Sequence, residues 1–417
     1  MFRYRSHPIS LLGSACAVVC AFSCACAAQK PTREQTSYTA SARTQPGIDV
    51  LEVEKFAILR GKRVGLITNQ TGVDSKARRT VDLLAHAPGV KLVALFSPEH
   101  GIAGSVDAAV TNSTDSTTHL PIYSLFGDTR RPTPGMLKNI DALLFDIQDA
   151  GVRFYTYITT MAYCMEAAAK SHISFFVLDR PDPLGGEVIE GTVLDRERTS
   201  FIAYFPMPVR YAMTIGELAQ MFNAENKIGA DLHVIAMKNW RRSETYDQTG
   251  LAWIPPSPNL HTVNAGFLYP GIEILQAGGV SVGRGTGAPF EMFGAPWVHA
   301  SELAAALNSR KIPGVSFAAA EFSPKEVPYK GQPCEGVTIS LTDRGGFESM
   351  LMGLTIADVL HRLYPEQFQL QKTIALLGSQ STIDRLVRGD DPAQIVVGWS
   401  SDLEQFRRMR AKYLLYQ

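Results

Sequence analysis

Cysteine is scarce wherever a fold has to form. Of the six in this 417-residue chain, Cys16, Cys20, Cys24 and Cys26 lie near the amino terminus, and only Cys164 and Cys334 come after them. With no CxxC pair and no nearby histidine pattern, a structural zinc site and a disulfide framework are both excluded. Cys164 falls in an apolar helical stretch, so two separately buried thiols are expected rather than a bridge. Charge of one sign is also missing. Forty basic side chains balance forty acidic ones, and no run of like charge stands out, which argues against nucleic acid or an anionic membrane as the main partner. Beyond residue 28 no apolar run is long enough for a membrane helix. Asp146 and Asp149 have no histidine cluster beside them, so neither a metal nor a cofactor is expected. No serine nucleophile elbow is read, and the glycines near residue 285 form neither a phosphate-binding GK[ST] loop nor a GxGxxG turn opening a helix.

The one early apolar run has a different meaning. Arg3 and Arg5 precede Ile9 to Phe22, which is too short to span a bilayer, and Ala25-Cys26-Ala27 supplies small residues for cleavage. Residues 1–28 therefore read as a signal peptide and the protein as exported, to the periplasm or outside a bacterial cell. Ala21-Phe22-Ser23 departs from the leucine-led pattern of a lipidated cysteine, so a lipid anchor on Cys24 is not expected. Residues 29–46, rich in Thr, Ser and Gln, read as a linker.

From residue 47 strand and helix alternate. Arg63 to Thr68, Lys91 to Phe96, Asp141 to Ile147, Ser174 to Asp179 and His233 to Met237 read as buried strands, with helical stretches at Arg79 to His86 and Thr160 to Lys170. Thr214-Ile-Gly-Glu217 is a capping-box pattern. The expected fold is α/β, a Rossmann-like mostly parallel sheet over residues 47–257. Pro255-Pro256-Ser257-Pro258 marks the boundary to a smaller α+β domain, 258–417, with a strand at Gly336 to Leu341 and helices near Ser349 to Leu363 and Ser401 to Tyr416.

Chemistry is expected in the loops that leave the strands. Those at Asn69-Gln70, at Ser97-Pro98-Glu99-His100-Gly101, at Gln148 to Tyr155, including Arg153, and at Arg180 to Gly191 leave one sheet edge if the strands are parallel. They should then meet in one cleft. Glu99 is the best candidate for proton transfer, because a carboxyl in a cleft wall can be tuned by burial. The alternative is a surface carboxylate in a tight turn, or a helix N-cap partner. His100 reads as a support that orients Glu99. Asp146, Asp149, Asp179, Asp182, Glu187 and Glu190 offer a second carboxylate, as a glycosidase would need, although Asp146 and Asp179 end strands and can equally cap turns. In the second half, Arg284 of Ser281-Val-Gly-Arg-Gly-Thr286 offers a planar fork for a carboxylate or phosphate, with Glu291 close by, the alternative being a structural turn with a salt-bridged arginine.

Taken together, GLITNQTG (65–72), LFSPEHGIAG (95–104), LLFDIQDAGVRFYTY (143–157), VLDRPDPLGG (177–186), PSPNL (256–260) and VSVGRGTGAPFE (280–291) resemble the exo-β-N-acetylmuramidase family NamZ. The resemblance runs in order along nearly all of the chain after the leader. It implies a Rossmann-like domain joined to a smaller C-terminal domain, with a cleft between them that removes N-acetylmuramic acid from non-reducing ends of peptidoglycan fragments. It carries the family's catalytic glutamate onto Glu99. Glu190, then Asp146, are the candidates for its partner, and the substrate's own acetamido group is an alternative. Arg284 or Arg153 would meet the lactyl carboxylate. Asn69, Gln70 and Asn259 would bind hydroxyl or acetamide groups, with His100, Tyr155, Asp179, Arg180 and Glu291 as further binding candidates. Two departures stand out. Gln276-Ala277-Gly278-Gly279 occupies the place of a Glu-Gly-Thr-Asn sequence, and Tyr211 stands where His is expected. The rival readings are a non-catalytic muropeptide-binding protein and an esterase or amidase.

Overall fold

Strands whose every side chain is apolar need cover on both faces, and these have it. The computed structural model describes residues 43–106 and 108–417. Its larger sheet comprises β1 (Arg63–Thr68), β2 (Lys91–Ser97), β3 (Ser113–Thr114), β4 (Pro121–Ser124), β5 (Ala142–Asp146), β6 (Ser174–Leu178) and β7 (Leu232–Ile235), in the order β3-β4-β2-β1-β5-β6-β7. All neighbours run parallel except β3 against β4. β5 is buried along its whole length and β1 from its second residue on. The two strands that the sequence did not suggest, β3 and β4, are short and close one side of the sheet, with Pro121 as the first residue of β4, a position that proline tolerates. The signal peptide read over residues 1–28 lies outside the described residues, as does most of the linker. Its last residues are not loose: Gln45 bridges to Lys238, and Thr44 donates its N–H to the Thr249 carbonyl.

The helix Ile215–Glu225 opens with the capping box, Thr214 accepting from the Glu217 N–H at 3.3 Å while the Glu217 carboxylate accepts from the Thr214 N–H at 3.0 Å. A smaller antiparallel sheet comes later in the chain, built from β8 (Met292–Ala295), β9 (Val315–Phe322) and β10 (Cys334–Leu341) in the order β8-β10-β9. Cys164 and Cys334 are both buried and free.

Between β7 and the second sheet the chain forms the helix Val263–Ala277, which the sequence reading missed: Pro270 sits inside it and glycines crowd its end. It crosses the helix Ser349–Leu363 backbone to backbone. A Cβ on Gly271 would lie 2.1 Å from the Ser349 carbonyl oxygen, and one on Gly353 would lie 2.5 Å from that of Gly271. Real Cβ atoms do not approach so closely, so the crossing requires glycine at both places. One continuous apolar core, from Phe145 and Phe175 through Leu268 and Ile272 to Phe293 and Leu354, joins the two sheets through this helix pair.

Candidate active site

At the end of β2 the chain turns sharply. His100 and Gly101 take φ values of 69° and 76°, and the Gly101 N–H closes the turn on the Pro98 carbonyl at 3.1 Å. Two consecutive left-handed residues throw Glu99 sideways off the strand axis. His100 is 8 % exposed and its Nδ1 lies 3.0 Å from the Val106 carbonyl oxygen, so the ring holds the loop in shape. Glu99 faces a pocket of about 480 Å³. Thr156, the residue before the helix Tyr157–Lys170, donates its hydroxyl to Glu99 Oε2 at 2.5 Å. The amino-terminal end of a helix thus faces the carboxyl group. β2 and β5 lie on either side of β1, so the pocket sits at the carboxyl edge of a sheet whose strand order reverses, where open α/β folds bind ligands.

Aromatic rings form the floor. Tyr269 meets Phe154 at 5.5 Å, Tyr155 at 6.0 Å and Phe290 at 4.8 Å between centroids, each edge to face. Burial pushes the Tyr155 and Tyr269 phenols well above their ordinary range, so both remain protonated donors at neutral pH. The far wall comes from the C-terminal half. Arg284 donates from Nη2 to Glu273 Oε1 at 2.6 Å and from Nε to Gln276 Oε1 at 2.8 Å, with its guanidinium 5.2 Å from the Phe290 centroid. Lys325, Glu326 and Lys330, on the loop joining β9 to β10, form the rim. Asn259 ties that rim down: its amide nitrogen donates to Glu326 at 2.9 Å, and its oxygen accepts the Gly285 N–H at 3.0 Å.

Of the candidates read from the sequence, Glu99, His100, Tyr155 and Arg284 line this pocket, and Asn259 braces it. The others are placed differently. Glu190 lies in a separate pocket of about 720 Å³, 7 % exposed, with Oε1 paired to Arg210 at 2.7 Å and Oε2 accepting the Met350 N–H at 3.2 Å. Asp146 is fully buried at the end of β5, bound by Arg180 Nε at 2.6 Å and by the Thr80 hydroxyl at 2.5 Å. Neither shares space with Glu99. Arg180 is committed to Asp146 and to the Val73 carbonyl. Asp179 caps the helix Ile215–Glu225, accepting from the Gly216 N–H and from the Thr214 and Tyr416 hydroxyls, while burial pushes its carboxyl up to about 7. Arg153 has no exposure at all, and both terminal nitrogens donate to main-chain carbonyls, of Thr192, Met207, Leu376 and Leu377. Burial pushes its guanidinium down to about 9, still charged at neutral pH. Glu291 accepts from the Thr262 hydroxyl at the start of the helix Val263–Ala277. Asn69 folds its oxygen onto Thr71, and Gln70 donates to the Pro255 carbonyl at 2.8 Å. The four loops therefore do not converge in one cleft: those after β2 and β5 reach the pocket, that after β1 supports it from behind, and that after β6 turns toward the Glu190 pocket.

Among the pocket residues that escaped the sequence reading, besides the rim, are Thr156, Tyr269 and Glu273. The last two share a helix face with Gln276 through the four- and three-residue spacings, a signal hidden because that segment reads as a glycine-dense loop. Phe267, on the opposite face, lines the Glu190 pocket. Tyr211 is fully buried and donates its hydroxyl to Asp149, whose carboxyl burial pushes up to about 6. The string Gly279-Val-Ser-Val-Gly283 has the GxSxG spelling, but Ser281 is 1 % exposed and pairs with Gly294 in a short bridge. It is not a nucleophile elbow. Among the described residues no group of three or more His, Cys, Asp or Glu side chains is arranged to hold a metal ion.

Two family models match consecutive stretches of the chain. Residues 64–264 match the N-terminal part of the exo-β-N-acetylmuramidase NamZ and residues 267–416 its C-terminal part. The peptidoglycan β-N-acetylmuramidase NamZ of Bacillus subtilis (strain 168) is 45% identical over 397 residues, which is 94% of this chain and 95% of that protein. Two DUF1343 family proteins of Bacteroides fragilis NCTC 9343, known from crystal structures, share the fold. One is 41% identical with a TM-score of 0.82, the other 31% identical with a TM-score of 0.74, and each comparison covers 90% of this chain and 99% of the other. A sequence match that spans both halves, on the same two-sheet scaffold, places this chain in the exo-β-N-acetylmuramidase NamZ family.

Proposed function

We propose that this protein is an exo-acting glycosidase that releases N-acetylmuramic acid from the non-reducing ends of peptidoglycan fragments, with Glu99 as the general acid. The observation that carries the reading is the placement of Glu99. A carboxyl group delivered by a strained turn and held by the Thr156 hydroxyl faces a pocket of about 480 Å³. A volume of this order suits one or two sugar rings rather than a long glycan, which fits removal of a terminal residue. Glu99 donates its proton to the leaving glycosidic oxygen as the bond breaks, and water supplies the hydroxyl that bonds to the anomeric carbon and the proton that restores Glu99. The aromatic floor offers apolar surface to the CH faces of the ring, and the Tyr269 hydroxyl offers a donor to its oxygens.

Specificity for a muramic residue needs a cation for the lactyl carboxylate. Arg284 is the strongest candidate, since Glu273 and Gln276 fix the plane of its fork within the pocket wall. Arg153 has no such role, because its donors are spent on carbonyls. Export belongs to the same proposal: peptidoglycan lies outside the cytoplasm, and residues 1–28 have the layout of a cleaved leader.

The test compares a chromogenic N-acetylmuramide with the matching N-acetylglucosaminide, for the protein and for Glu99→Gln. Release from the muramide alone, reduced at least ~100-fold in the variant, is expected for loss of a general acid. Equal release from both sugars would remove the role given to Arg284. No release from either, with ligand affinity retained in Glu99→Gln, would make the protein a binder. Fractionation of the producing cells tests export.

A further inference from the structure

A glycosidic bond broken with acid assistance leaves positive charge on the ring, and a second carboxylate normally faces it. Glu190 and Asp146 do not: neither lines the pocket that holds Glu99, since Glu190 faces a separate one and Asp146 is fully buried against Arg180. Two other carboxylates line the pocket with Glu99, namely Glu273 and Glu326. Glu326 sits on the loop between β9 and β10, beside the exposed Val327, and is steered by Asn259. Glu273 instead stands on the helix Val263–Ala277, whose backbone is wedged against the helix Ser349–Leu363, and its side chain is 12% exposed. Arg284 pairs with it at 2.6 Å and holds it in place. Tyr269, one turn earlier on the same face, feels both glutamates: after burial, Glu273 is the largest influence holding its phenol protonated, and Glu99 acts in the same sense. Glu99, Tyr269 and Glu273 line a single pocket.

Resting on the glycosidase reading, we infer that Glu273 is the second carboxylate of the reaction, the anion that meets the positive charge developing at the anomeric carbon while Glu99 protonates the leaving oxygen. The departure at Gln276 acquires a physical account. Residues 273 and 276 are neighbours on one helix face, and both bind the same guanidinium. In this chain the anion on that face stands at 273, and position 276 is neutral.

Aryl N-acetylmuramides with a good and a poor leaving group separate the roles. Loss of an acid is felt mostly with the poor leaving group, whereas loss of the anion is felt with both. Glu273→Gln, which preserves shape and the contact to Arg284, is expected to lower kcat by ~10²–10³-fold on both substrates with KM little changed. In Glu273→Ala, sodium azide or formate should restore turnover by filling the gap with a small anion. Thermal melting confirms that each variant is folded. A raised KM with unchanged kcat and no rescue by azide would reduce Glu273 to a positioning residue for Arg284 and overturn the inference. So would the same kinetic signature appearing in Glu326→Gln instead. An unmodified protein that cleaves no muramide at all would refute the glycosidase reading itself, a result distinguishable from either.

Discussion

Replacing Arg153 with Met separates a structural cation from a substrate-binding one. Its guanidinium is fully buried and donates at 2.7 to 2.8 Å to the carbonyls of Thr192, Met207, Leu376 and Leu377. Those carbonyls come from three distant parts of the chain, so the side chain stitches the loop after β5 to the loop after β6 and to the short helix Ile374–Leu377. Hydrogen bonds from a charged donor contribute ~1.5–3 kcal/mol each. The burial penalty of the cation offsets several kcal/mol of that sum. Two of the carbonyls retain another donor, since the Leu194 N–H reaches Met207 and the Thr192 hydroxyl reaches Leu377. The unmet cost then falls mainly on the Thr192 and Leu376 carbonyls, at ~1–3 kcal/mol each. Arg153→Met should thus lower unfolding free energy by about 4 kcal/mol, measured by urea denaturation, while KM measured on the surviving folded fraction stays near that of the unmodified protein. A variant within ~1 kcal/mol of the original but with KM raised tenfold or more would refute this and return Arg153 to the substrate.

Glu190→Gln should leave kcat/KM within about twofold while reducing stability by ~3 kcal/mol, because it strands Arg210 in a buried place; a collapse in kcat without loss of stability would contradict the separation of the two pockets. Stability should also respond to pH through buried acids. Burial pushes the Asp149 carboxyl up to about 6 and the Asp182 carboxyl up to about 7, above their ordinary value of 3.8. Between pH 4 and 7 the folded state therefore binds more protons than the unfolded one, so these groups favour folding at the acid end and lose that contribution as pH rises toward 7. Asp182→Asn, compared with the unmodified protein by urea denaturation at pH 5, 6, 7 and 8, should flatten this fall. A pH dependence identical in both would show that Asp182 does not titrate in that range.

What the sequence reveals depends on whether a residue's role is local. β1, β2, β5 and β6 were legible to within a residue or two because β-branched and aromatic runs bounded by polar turns have few other uses. The turn at Glu99 was legible for the same reason: a proline and a glycine around an acid and a histidine constrain the backbone by themselves. Arg153, Asp179 and Glu190 misled because a charged residue in a post-strand loop looks the same whether it points into a cleft or back into the protein. Only the distant partners, such as Leu376 for Arg153 and Tyr416 for Asp179, decide between the two. Glu273 was hidden by the converse effect. Pro270 and the glycines that permit close helix packing have the local appearance of a loop, and the helical face they interrupt becomes visible only once its partner helix is in place.

The Gly271–Gly353 crossing bears on how such a pocket can diversify. Where two helices touch through side chains, a substitution can let one slide or roll against the other, and the groups it presents drift by degrees. Here the contact is main chain against main chain, so the helix has little freedom to shift. Variation in what the wall offers a sugar must then come in discrete steps, by exchanging which position on the exposed face carries charge. A glutamate at 273 beside a glutamine at 276 is one such setting, and moving the charge by a single turn would change the substrate's surroundings without disturbing the fold beneath it.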